Sequence, residues 1–145
     1  MKHFVTVTIL ASIIIVSFFM ESCTKNTDEA IDGGTFAKDT WTIIQDNILT
    51  LSCATSGCHS STSDATYGQH NLLLNSTNAY DNLINIISKN AAAKTAGLVR
   101  VKPGDYMNSL LYQKIDCQTP SKYGASMPLG GTNLTSGQIE FIKQW

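Results

Sequence analysis

The chain has 145 residues, ten Lys+Arg against eleven Asp+Glu, and a formal net charge of −1. That length allows one domain of ordinary size, and the balance of charge gives no basic footprint for nucleic acid. Hydrophobic residues make up 43%, enough for a modest core, while charged residues reach only 14%, below the roughly 25% of soluble domains. Disordered, DNA-binding, coiled-coil and multidomain readings are excluded on these grounds.

Much of the charge deficit lies at the start, where Lys2 is the only Lys, Arg, Asp or Glu before Glu21. A cationic start followed by the uncharged apolar run of residues 4–20 is the pattern of a secretory signal. At 17 residues the run is at the short edge of what spans a bilayer. The next element, Met20-Glu21-Ser22-Cys23, resembles a bacterial lipoprotein signal, with small Ser22 before the cysteine. That resemblance implies removal of residues 1–22 and acylation of Cys23, and several acyl chains on one residue suffice for stable anchoring. The mature chain would run from Cys23 to Trp145. Residues 24–35 are polar, acidic and Gly-containing and read as a tether, so that 23–38 form a lipidated, flexible lead. The expected location is the periplasm or cell surface, a compartment where disulfides persist.

Four helices are expected in the remainder, and no convincing alternating strand is present. In the first, Trp41, Ile44, Ile48 and Leu51 fall at helical spacing, with Asp39 or Thr40 as cap. The second spans about 79–88, with Tyr80, Leu83, Ile84 and Ile87 on one face and Ser76 or Thr77 ahead of it. A third, about 108–115, follows the Pro103-Gly104 turn and presents Leu110, Leu111 and Ile115. The fourth opens on Thr135 and Gln138, a capping box, with Leu134 and Ile139 as the matching staple, and continues through Phe141 and Ile142 to Trp145. The polar stretches 54–75 and 116–134 are long for so small a domain, and loops of that length point to something that orders them, such as a central cofactor.

The chemistry concentrates directly after the first helix, in Cys53-Ala-Thr-Ser-Gly-Cys58-His59. A cysteine followed by histidine is the core of c-type haem attachment, usually C-x-x-C-H. Thioether bonds fix the porphyrin edge, and the adjacent histidine is then placed to ligate iron. Here the spacer is four residues. The same residues admit a Cys53–Cys58 disulfide, or a zinc site in which they join His59 and His70.

A wider resemblance extends the motif. The segment from Ile48 to His59 is similar to the entry of single-haem cytochrome c domains of bacterial lipoproteins. Val101-Lys-Pro-Gly-Asp105, Asn108-Ser-Leu-Leu-Tyr-Gln-Lys114, Ser126-Met-Pro-Leu-Gly-Gly131 and the stretch from Leu134 to Trp145 follow in the family's order. The resemblance covers residues 39–145 and implies an all-α, class I-like cytochrome c fold with one haem c. In that fold the first and last helices pack together, which suits Trp41, Phe141 and Trp145. The family continues its last helix several residues past the position of Trp145. The methionine of its Met-Pro-x-Gly-Gly loop is the second axial ligand, which maps to Met127; a soft thioether opposite histidine raises the reduction potential. His70 is the competing ligand, and Met107, beside a helix start, is expected to fill the core.

Cys117 remains. It is either a buried free thiol, or the partner of Cys53 in a disulfide that leaves Cys58 as the only thioether and closes a loop of 64 residues. Both arrangements are open on sequence. Arg100 and Lys102 are expected at the solvated surface, with contact to a haem propionate as the alternative. Tyr112 and Tyr123 are expected in the core. The function implied is electron transfer to and from a redox protein partner, by a membrane-anchored protein that is not an enzyme and binds no small-molecule substrate. The alternative is a disulfide-stapled surface lipoprotein that binds a partner or a metal without redox chemistry.

Overall fold

The computed structural model describes residues 40–117 and 121–145. The expected signal, Cys23, the tether and Asp39 lie outside the described residues. Among the described residues the fold is helical with no β-strand; the extended segments meet only in isolated bridges. No helix there is long and apolar enough to cross a membrane.

The first helical run starts as α1 (Thr40–Ile44), opens to π pitch over Gln45–Leu49, and closes as α2 (Thr50–Ser52). The wider π turn changes which residues face inward. Ile44, Ile48 and Leu49 are buried, whereas Leu51, expected on the inner face, is 68% exposed. Next comes α3 (Ala65–His70), inside a stretch whose polarity reads as loop.

The second expected helix is cut short: α4 spans Ala79–Leu83, and Ile84 is already extended. Asn75, rather than Ser76 or Thr77, secures its start, its Oδ1 accepting from the Asn78 N–H at 3.1 Å. Beyond Leu83 the β-branched residues pair with a distant segment. Ile84 bridges Val101 and Ile87 bridges Val99, while Val101 N–H donates to the Leu83 carbonyl and Arg100 N–H to that of Ile86. Isoleucine gains less from a helix than from such a pairing. Tyr80 and Ile87 are consequently exposed and Ile84 half-buried, leaving Leu83 as the buried member of the expected face.

A short helix that periodicity missed, α5 (Ala91–Thr95), is capped by Asn90, whose side chain accepts from Ala93 N–H. A 3-10 turn (Tyr106–Asn108) leads into α6 (Leu110–Ile115), with Leu110 and Ile115 buried. After a second 3-10 turn (Ser121–Tyr123), α7 (Ser136–Gln144) closes the fold with both arms of the capping box in place. Thr135 N–H donates to Gln138 Oε1 at 2.9 Å, and Gln138 N–H donates to Thr135 Oγ1 at 3.2 Å.

The main core gathers Ile44, Ile48, Leu49, Cys53, Leu74, Leu83 and Ile115 with Leu134, Ile139 and Ile142 from the last segment. A smaller cluster joins Ala93, Leu98, Leu110 and Tyr123. The contact expected between the first and last helices is formed: Trp41 lies on Trp145 with ring centroids 5.1 Å apart and planes 30° apart, and Phe141 packs against the main core. Tyr80 joins this aromatic group, 5.1 Å from Trp41 and edge-on. Trp41 thus ties the helix that precedes Cys53 to the end of the chain.

Candidate functional site

Cys53 follows α2 immediately, its N–H donating to the Leu49 carbonyl at 2.9 Å. Its side chain belongs to the main core, and burial, with Cys58 nearby, pushes the thiol up to about 11. It is therefore a protonated thiol rather than a ready thiolate. Cys58 is half-buried, and both thiols are free. The expected alternative of a Cys53–Cys117 bridge is not formed, nor is a Cys53–Cys58 bridge. Cys117, at φ 57°, is paired with neither of these two.

The loop between and after the cysteines owes its shape to one carboxylate. Asp64 Oδ1 accepts from Gly57 N–H at 3.0 Å, and its Oδ2 accepts from the Ser60 and Ser61 N–H groups and the Ser60 hydroxyl, each at 2.8 Å. The Ser60 hydroxyl and these main-chain donors hold Asp64 below its ordinary carboxylate range. Gly57 turns the chain at φ 82°, a conformation that side chains other than glycine rarely adopt. The Thr66 hydroxyl donates to the Cys58 carbonyl, and Asn75 Nδ2 to that of Ser60 at 2.8 Å. Much of the order in residues 54–75 therefore comes from the chain's own side chains and α3.

His59 is held at two points. Leu74 N–H donates to its carbonyl at 2.8 Å, and its ring Nδ1 faces the Leu72 carbonyl at 3.3 Å. A carbonyl accepts only, so this contact selects the tautomer with the proton on Nδ1 and leaves Nε2 as a lone-pair donor. That is the way proteins prepare an imidazole for a metal. Burial first, then the nearby charges of His70 and Arg100, lower the proton affinity of the ring and favour this neutral form.

His70, exposed at the end of α3, is the other imidazole in reach, its ring centroid 6.3 Å from that of His59. Met127 is half-buried on a separate segment, its N–H donating to the Lys114 carbonyl at 2.8 Å at the end of α6. Lys114 also donates from Nζ to the Ala125 carbonyl at 2.7 Å and lies close enough to His70 to lower its proton affinity. The end of α6 thus lies near both the methionine segment and His70. Met107, expected as core filling, is 63% exposed. Its place beside a 3-10 turn instead of a full helix points it outward.

Arg100, expected at the solvated surface, is also placed otherwise. It is 7% exposed, not solvated, and its guanidinium donates to main-chain carbonyls on two segments. Lys102 is at the surface as expected, paired with Asp105 at 2.8 Å. Tyr123 is buried and Tyr112 half-buried, the latter 4.8 Å from the Tyr106 ring. Among the described residues no three His, Cys, Asp or Glu side chains converge to hold an ion. A separate cleft of about 380 Å³, lined by Tyr80, Tyr106, Lys143 and Trp145 among others, has no cysteine, histidine or methionine among its described lining residues.

The donor set fits a haem held through Cys58–His59. Two free thiols flank one turn, the imidazole has a committed Nδ1 edge and an uncommitted Nε2, and Cys53 brings the turn against an apolar core. No family model, curated protein or solved structure matches the chain.

Proposed function

We propose that the protein is an exported, lipid-anchored electron carrier with one covalently bound c-type haem, and that it transforms no substrate of its own. The observation that carries this reading is His59 beside a free Cys58, with Nδ1 committed to the Leu72 carbonyl and Nε2 left for a metal. The packing of Trp41 on Trp145, as a cytochrome c-like fold requires of its first and last helices, agrees with it. The haem would supply a one-electron ferrous–ferric couple.

The chain's own residues do the rest. Cys58 and Cys53 would hold the porphyrin edge by thioethers, and neither is consumed in a disulfide. His59 would be the proximal ligand, oriented by the Leu72 carbonyl and kept neutral by its burial. Met127 would be the second ligand, a soft thioether whose backbone is secured to α6 through Lys114. Acylation of Cys23 would place the domain at a bacterial membrane, in the periplasm or at the cell surface, facing a redox protein partner.

The deciding experiment is the intact mass of the denatured mature protein, made in a host with haem-attachment machinery. The expected mass includes one haem plus the acyl chains, and His59→Ala removes the low-spin haem spectrum. A mass without haem, and an unchanged protein after His59→Ala, would overturn the reading.

A further inference from the structure

Arg100 is a buried cation that the proposed function leaves without a role. Its backbone is fixed on both sides, with its N–H donating to the Ile86 carbonyl at 2.7 Å and its carbonyl accepting from Leu111 N–H at 2.9 Å. Its guanidinium spans two segments. Nη1 donates to the Asn82 carbonyl at 2.7 Å, and Nη2 donates to the carbonyls of His70 at 2.6 Å and Asn71 at 3.0 Å. Among the described residues no carboxylate pairs with it.

The His70 and Asn71 carbonyls belong to the C-terminal end of α3, where main-chain oxygens lack helical partners and the helix dipole favours a cation. Asn71 makes the turn at φ 47°, a left-handed conformation that asparagine adopts more readily than most side chains. The next carbonyl is that of Leu72, the one His59 Nδ1 faces. The fork of Arg100 therefore ends one residue short of the acceptor that orients the imidazole.

We infer that Arg100 is a positioning residue for His59: its guanidinium locks the 70–71 turn so that the Leu72 carbonyl commits Nδ1, and its charge raises the reduction potential of an iron held at Nε2. A buried cation disfavours the ferric state, which carries one more positive charge than the ferrous state. The part concerning potential rests on the haem reading; the positioning of the imidazole does not.

The test uses purified wild type, Arg100→Lys and Arg100→Met, with intact mass taken first and histidine nitrogens labelled. If one haem is present, exchange of the His59 Nδ1 proton with water in the ferrous protein is expected to be at least tenfold faster in both variants. Neither lysine nor methionine reaches three carbonyls as a planar fork does. The midpoint potential is expected to fall in Arg100→Met and to hold in Arg100→Lys, which keeps the charge. Unchanged proton exchange overturns the positioning role, and an equal fall in both variants overturns the charge role. If no haem is present, the haem reading fails by itself. His59 is then expected as the Nδ1–H tautomer in wild type and as the Nε2–H tautomer in both variants; retention of Nδ1–H in the variants overturns the positioning role. Thr135→Ala, destabilised at the cap of α7 and not in the turn, is expected to keep the wild-type exchange, potential and tautomer. Equal movement there would make Arg100 merely structural and overturn the inference. Should Arg100→Met fail to fold, Arg100→Lys carries the exchange and tautomer tests.

Discussion

The π turn ahead of Cys53 makes a prediction in which two neighbouring leucines exchange the importance that helical periodicity assigns them. Leu49 is 1% exposed and Leu51 is 68% exposed. Leucine to alanine removes three carbons, and at about 0.8 kcal/mol per buried methylene the transfer loss at a fully buried site is roughly 2.4 kcal/mol. An unrelaxed cavity raises the cost of Leu49→Ala to about 3–5 kcal/mol. At Leu51 about a third of the side chain is covered, so the same arithmetic leaves less than about 1 kcal/mol, and alanine's slightly better helix propensity offsets part of it. Urea unfolding of the mature protein, followed by the fluorescence of Trp41 and Trp145 at the helix contact, reads both numbers. The expected result is a large fall in midpoint for Leu49→Ala and a small one for Leu51→Ala, with slopes unchanged. A larger loss at Leu51 than at Leu49 would mean the run before Cys53 is a regular α-helix, and the burial argument for this region would be wrong.

Met127→Ala is expected to convert a loaded protein to a high-spin or ligand-accepting form, while His70→Ala leaves the low-spin spectrum intact; the reverse result in optical spectra would move the second ligand to His70. Asp64 is held below its ordinary pKa of 3.8 in the folded protein, so its stabilisation is present above that pH and is lost as pH falls through the lower folded value. Protection of the Gly57, Ser60 and Ser61 N–H groups, taken against the intrinsic exchange rate at each pH, is accordingly expected to fall in acid, and in Asp64→Asn to be already reduced at neutral pH, because an amide offers one oxygen where two are used. Exchange in Asp64→Asn equal to wild type would refute the carboxylate's role in the loop. Thr135→Ala removes one arm of the capping box and is expected to cost about 1 kcal/mol, with little further loss on adding Gln138→Ala. Fully additive losses in urea unfolding would show that the two arms act independently.

Features written in local chemistry were legible before the structure. The capping box of Thr135 and Gln138 depends on four consecutive residues and forms as expected, as does the start of α6 after the Pro103-Gly104 turn. The Cys58–His59 junction and the aromatic ends of the first and last helices were equally plain, because each is a matter of residue type and spacing. The all-helical class followed from the absence of alternating strands. Other features were decided by tertiary contacts. The run from Ile84 to Ile87 fits a helix face until Val99 and Val101 offer it a pairing partner, and the helix stops at Leu83. Leu51 and Met107 turn outward because a π turn and a 3-10 turn replace the regular helix that periodicity assumes. α3 is hidden in polar sequence because Asp64 and Thr66, rather than an apolar stripe, hold its surroundings. The commitment of His59 Nδ1 to Leu72, and the burial of Arg100 across the end of α3, join residues 13 and about 30 positions apart. A main-chain carbonyl is common to every residue, so nothing in the sequence marks which one will orient the imidazole; only the folded chain brings that oxygen to the ring.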